Sequence, residues 1–151
     1  MKYLFAFLAS SLLVTNTVCS QTPEDSIKMT INNLFAAMKQ ADPLAIKATF
    51  ADSAILQTIL RNKEGGLSIR TGDLNSFAEQ IRTLKQGDAD ERIRFETIKI
   101  DGPLAIVWTP YSFYYKAQFS HCGVNSFQLV RMQGGWKIQY LIDTRRNQDC
   151  L

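Results

Sequence analysis

FSHCGVNSFQLVRMQGGWKIQYLIDT, residues 119–144, decides how this chain folds. Two runs rich in β-branched and aromatic residues flank Gly134-Gly135, and each alternates apolar with polar side chains, the pattern of a hairpin with one buried face. If Gly134-Gly135 forms a two-residue turn, Gln133 pairs with Trp136. Counting back sets Arg131 opposite Ile138, Leu129 opposite Tyr140, Phe127 opposite Ile142 and Asn125 opposite Thr144. This side carries more of the large apolar groups and is expected to face the core. His121, the single histidine, joins it by period two. Asp143 then projects from the opposite face, which argues against a histidine base oriented by that carboxylate.

Working outward, Pro103 to Tyr115 forms the preceding strand. A three-residue loop, Lys116-Ala117-Gln118, places Tyr111, Phe113 and Tyr115 on the His121 side; a loop of two or four residues substitutes Trp108, Ser112 and Tyr114. Pro110 lacks a ladder donor and marks an edge or bulge. Arg92 to Ile100 is a further strand whose alternation slips near Glu96-Thr97, as a β-bulge would make it.

Upstream the period becomes helical. Thr22-Pro23-Glu24-Asp25 caps a helix with Ile27, Ile31, Leu34, Phe35 and Met38 on one stripe. Asp42-Pro43 ends it and starts a short second helix to Thr49. Ala54 to Leu60 and Leu67 to Thr71 make a hairpin. Asp73 caps a third helix with Leu74, Phe77, Ile81 and Leu84 on one face and Gly87 placed to end it. About three helices followed by long antiparallel strands describe an α+β domain, a cone in which a curved sheet wraps one helical layer around a hollow.

Residues 1–20 read as a secretory signal: Lys2, an apolar run from Tyr3 to about Val14, then a polar exit through Ser20. Cleavage near Ser20 leaves residues 21–151 as one domain, exported to the periplasm or beyond. Acylation at Cys19 competes, but Val18 is not the small residue such sites carry. The whole chain has a formal charge of +3, and +2 without Lys2, spread without long runs, so neither a nucleic-acid surface nor stable membrane association is expected. One histidine and distant cysteines do not make a metal site, and nothing points to a cofactor. Cys122 and Cys150 are left either as a disulfide or as a buried thiol and a frayed tail.

The chain resembles the nuclear transport factor 2-like (NTF2-like) superfamily, in particular its SnoaL-like and lumazine-binding-like branch among exported bacterial proteins. The likeness covers about residues 24 to 146. It is carried by Phe50-Ala51-Asp52 before Ile55-Leu56-Gln57-Thr58, VWTPYSFYY (107–115), His121-Cys122-Gly123, FQLVR (127–131), GGWKI (134–138) and Asp143-Thr144-Arg145-Arg146. The resemblance implies a cone-shaped fold, frequent homodimers and a pocket that relatives use for isomerisation, dehydration, hydrolysis or simple binding. It does not choose among these.

Three readings follow. In the first, an aromatic pocket binds a small, partly apolar ligand oriented by His121, Asn125, Thr144 and a tyrosine, Tyr111 or Tyr115. In the second, a cofactor-independent isomerase, dehydratase or hydrolase uses His121 as acid or base, although no acid falls on the expected inner face of the last two strands. In the third, the cavity is filled and the outer face of the sheet pairs two copies. A structural role for each polar residue stands beside these, with Gln57 as readily bonded to a neighbouring strand as lining a pocket.

Overall fold

The computed structural model describes residues 21–150 apart from position 63. The expected signal segment and Cys19 lie outside the described residues.

Helix α1, Pro23–Gln40, begins at a reciprocal capping box: the Thr22 hydroxyl accepts from the Asp25 amide and the Asp25 carboxylate accepts from the Thr22 amide. Ile27, Ile31, Leu34, Phe35 and Met38 are all buried, so the stripe faces the sheet. Ala41 in the left-handed region stops the helix. Asp42 caps α2, Pro43–Thr49, accepting from the Leu44 and Ala45 amides. Asp73 likewise caps α3, Leu74–Arg82. Gly87 does not end α3, which stops at Thr83; its amide instead donates to the Lys39 carbonyl at the end of α1.

Seven strands follow or interleave: β1 Phe50–Arg61, β2 Leu67–Gly72, β3 Ala89–Ile93, β4 Thr97–Asp101, β5 Leu104–Tyr115, β6 Gln118–Met132 and β7 Gly135–Thr144. They form one sheet in the order β2-β1-β7-β6-β5-β3, with β4 also paired to β5. All pairs are antiparallel except β1 with β7. The expected strand Arg92 to Ile100 is thus two strands. Ile93 pairs with Tyr111 and Thr97 with Trp108, three residues intervening on one side and two on the other. Pro110 sits opposite that slip, where its carbonyl accepts from the Arg94 amide and its missing N–H costs no ladder bond.

The helices cover the concave face. Phe35 meets Phe127 edge to face at 6.3 Å, and the Thr30 hydroxyl donates to the Trp136 carbonyl at 3.2 Å. Phe127, Leu129 and Ile138 are fully buried beneath α1, and each such side chain contributes about 1.5–3 kcal/mol. The result is a curved, mixed, mainly antiparallel sheet wrapped on three helices, the expected α+β cone.

The β6–β7 register differs from expectation. Gln133-Gly134 is the turn, Met132 pairs with Gly135, and Gly135 takes φ of +110°. Leu129 then faces Ile138, two positions from the expected partner. That shift preserves the face. One residue later Gln128 pairs with Tyr140, so Gln139 is bulged and every β7 residue beyond it changes face. Leu141 and Asp143 point inward, not Tyr140, Ile142 and Thr144.

Candidate functional site

The hollow at the wide end of the cone measures about 620 Å³. α1 supplies Leu34, Phe35 and Met38, α3 supplies Phe77 and Ile81, the turn after it Leu84, and the sheet supplies Leu56, Phe113 and Leu141. Glu91, Tyr111, His121, Asn125, Asp143 and Arg145 make its polar side.

Asp143 is the hub. It is 8% exposed and takes hydrogen bonds from the Thr58 hydroxyl at 2.6 Å, the Tyr111 hydroxyl at 3.3 Å and Arg145 Nε at 2.9 Å. Thr58 arrives because the parallel pairing of β1 sets it beside Asp143. Tyr111 also donates to the Thr144 carbonyl at 2.9 Å, and burial first, then the Asp143 charge, hold its hydroxyl protonated far above the usual tyrosine range.

Glu91 is the second acid. It stands on β3 opposite Phe113, and Asn125 Nδ2 donates to its Oε1 at 2.7 Å. The residue is half-buried and lines the hollow. That burial, reinforced by the neighbouring Asp143 charge, raises its pKa to about 7.

His121 is half-buried, its ring 5.0 Å from Phe113 and 5.8 Å from Tyr111, with Nδ1 3.1 Å from the Ser120 hydroxyl. Burial, then the Arg145 charge, push its pKa down, leaving a neutral imidazole at neutral pH. Asp143 lines the same hollow, contrary to the opposite-face expectation, although no hydrogen bond joins the two. Tyr111, Tyr115 and Asn125 line the hollow as well, on the face expected from a three-residue loop. The loop itself is Lys116-Ala117, both residues at positive φ; an extra residue at Ser120 restores the same parity.

Thr144 is corrected. The Gln139 bulge turns it away from the lining, and its hydroxyl accepts from the Val124 amide at 3.1 Å. Gln57 bonds Thr71 and Tyr140 on the two neighbouring strands. Cys122 and Cys150 are joined by a disulfide that ties the chain end to β6 beside His121, and reciprocal backbone bonds between Cys122 and Arg146 support the same docking.

No family model and no curated protein matches the sequence. Solved structures do match. A domain of unknown function with a cystatin-like fold from Nostoc punctiforme superposes with a TM-score of 0.66 at 17% identity, over 89% of this chain and 82% of that one. An NTF2-like protein of unknown function from Shewanella baltica gives 0.63 at 15%, over 89% of this chain and all of the other. The chain has the NTF2-like fold. A provisional dehydratase of the NTF2-like family from Streptomyces avermitilis gives 0.59 at 12%, over 83% and 99%. At these identities the likeness concerns the NTF2-like cone and not the chemistry inside it.

Glu91 was not expected in the site, and Asp143 and Arg145 were expected on the opposite face of the sheet. Glu91 lies within Asp88-Ala89-Asp90-Glu91-Arg92, which reads as a solvated charge run. Its one signal is parity with Ala89 and Ile93, two apolar residues on the face that turns inward.

Proposed function

We propose that this NTF2-like domain binds a small, partly apolar ligand in the cone. The observation that carries the reading is the hollow of about 620 Å³, walled by phenylalanine and aliphatic side chains and ended by Glu91, Asn125, Asp143 and Arg145. Apolar walls with a few convergent polar groups are the usual make-up of a small-molecule site. The test is purification from the native host followed by release and mass spectrometry of what is bound. A stoichiometric small molecule is the expected result, and a chain that elutes empty and accepts no apolar probe would refute it.

Glu91 favours a second reading, a SnoaL- or ketosteroid-isomerase-like enzyme catalysing isomerisation, dehydration or hydrolysis without a cofactor. A carboxyl with a pKa of about 7 can both accept and return a proton at neutral pH. It fits that role better than His121, the candidate acid or base from the sequence, whose charged form is disfavoured. Tyr111 is committed to Asp143 and Thr144 and is no oxyanion donor. Conversion of the released compound by the native protein, abolished in Glu91→Gln with binding retained, establishes this reading; an unchanged compound leaves binding alone.

Export is supported by the signal-like residues 1–20 and by the Cys122–Cys150 disulfide, which persists in oxidising compartments. A second copy of the chain is the proposed partner for the outer sheet face, where Leu104, Ile106, Trp108 and Met132 are each more than 40% exposed. Sedimentation of the mature chain as a strict monomer at high concentration would remove the dimer.

A further inference from the structure

We propose that the ligand of this cavity is a ring-bearing carboxylate, its charged end held by Arg145 and its ring lying among Phe35, Phe77 and Phe113. This rests on the ligand-binding reading above and deepens it. What decides the chemistry is the balance of donors and acceptors at the polar end of the hollow.

The acceptors there are largely spent. Asp143 already receives Thr58, Tyr111 and Arg145, and Glu91 Oε1 receives Asn125. The donors are not. Arg145 carries five N–H groups, of which only Nε has a hydrogen-bond partner among the described residues. Its side chain is 41% accessible and borders the hollow. His121 Nε2 has no partner among the described residues either and is a donor in the tautomer whose Nδ1 accepts from the Ser120 hydroxyl, and the Asn125 amide has a second hydrogen to give. Below about pH 7 Glu91 adds an O–H in place of a charge. Arg70 adds a further cation to the lining, and Asp73, which caps α3 through Oδ1, a further acid.

A group that only accepts matches most of these partners, whereas an alcohol or amine brings hydrogens for which Glu91 Oε2 is the main open acceptor among the described residues at this end. A carboxylate brings two acceptor oxygens in a plane that matches the guanidinium fork. Asp143 does not fill this role itself, since Arg145 meets it through Nε alone. The three phenylalanines, with Leu34 and Met38, supply flat apolar contact at the other end.

The test is calorimetric titration of the mature chain at about pH 6, where an ordinary carboxylic acid is ionised, with 2-naphthoate and its neutral counterpart 2-acetonaphthone. Naphthoate is expected to bind about tenfold tighter or more, the worth of a charge-assisted hydrogen bond. Arg145→Gln is expected to erase that preference. Equal affinities in the native chain, or a preference that survives Arg145→Gln, overturn the carboxylate assignment and leave the cavity reading standing. Binding of neither probe overturns both. The native comparison decides the matter even where Arg145→Gln does not fold.

Discussion

Gly123→Ala is expected to abolish folding, or to cost more than about 4 kcal/mol, while Gly134→Ala changes stability by less than about 0.5 kcal/mol. A Cβ at Gly123 would lie 2.8 Å from the Thr144 carbonyl carbon and 2.9 Å from a Tyr111 ring carbon, and would overlap the Thr144 carbonyl oxygen. The end of β7 cannot swing aside to admit it. The Val124 amide holds the Thr144 hydroxyl, Tyr111 holds the Thr144 carbonyl, Cys122 and Arg146 exchange two backbone bonds, and the disulfide closes the same corner. Relief requires breaking several of these at once, whereas Gly134, in the turn at the other end of the same ribbon, has nothing within 4 Å of its Cβ position. Urea unfolding of the two variants measures the contrast. A Gly123→Ala protein within about 1 kcal/mol of the parent would show that β7 does not run tightly against β6 there, and the inward placement of Asp143 would go with it.

That placement marks the boundary of what the sequence could reveal. The stripe of α1 and the caps at Thr22, Asp42 and Asp73 were legible because a helix signals its period over many residues and its ends through specific side chains. β7 gave no such signal. Tyr140 and Ile142 suit a core as well as Leu141 does, so hydrophobicity does not choose the face, and the bulge at Gln139 leaves no mark in composition. One extra residue therefore exchanged Thr144 for Asp143 in the site. At the β5–β6 hairpin two irregularities cancel: the tight Lys116-Ala117 turn and the extra residue at Ser120 restore the register of a three-residue loop, so Tyr111 and His121 share a face as expected. Glu91 was invisible for a different reason. A carboxylate among charged neighbours is ordinarily solvated, and only the assembled cone shows that the edge strand β3 turns this one inward.

Burial of Glu91 sets the sign of the second large effect. The Glu91 carboxyl holds its proton to about pH 7 in the folded chain against an ordinary value near 4.5. Between these values the folded state binds the extra proton, so this group's contribution to stability falls as pH rises through that window and is fully lost above it. The shift corresponds to about 3 kcal/mol. Glu91→Gln retains a side chain able to accept from Asn125 and cannot ionise. The variant is expected to match the parent near pH 4.5 and to exceed it by about 2–3 kcal/mol at pH 8. Asp25, Asp73 and Asp90, whose pKa values are lowered by their hydrogen-bond partners, act in the opposite direction but are common to both proteins and cancel in the difference. Paired denaturant titrations across this range give that difference directly. A flat difference, or a variant weaker at pH 8, would mean that Glu91 is solvated and carries no proton at neutral pH. The expected gain also bears on the proposed function: a carboxyl that costs the fold stability at neutral pH, when glutamine would serve the same hydrogen bond, would support a role for Glu91 in the cavity over a role in the fold.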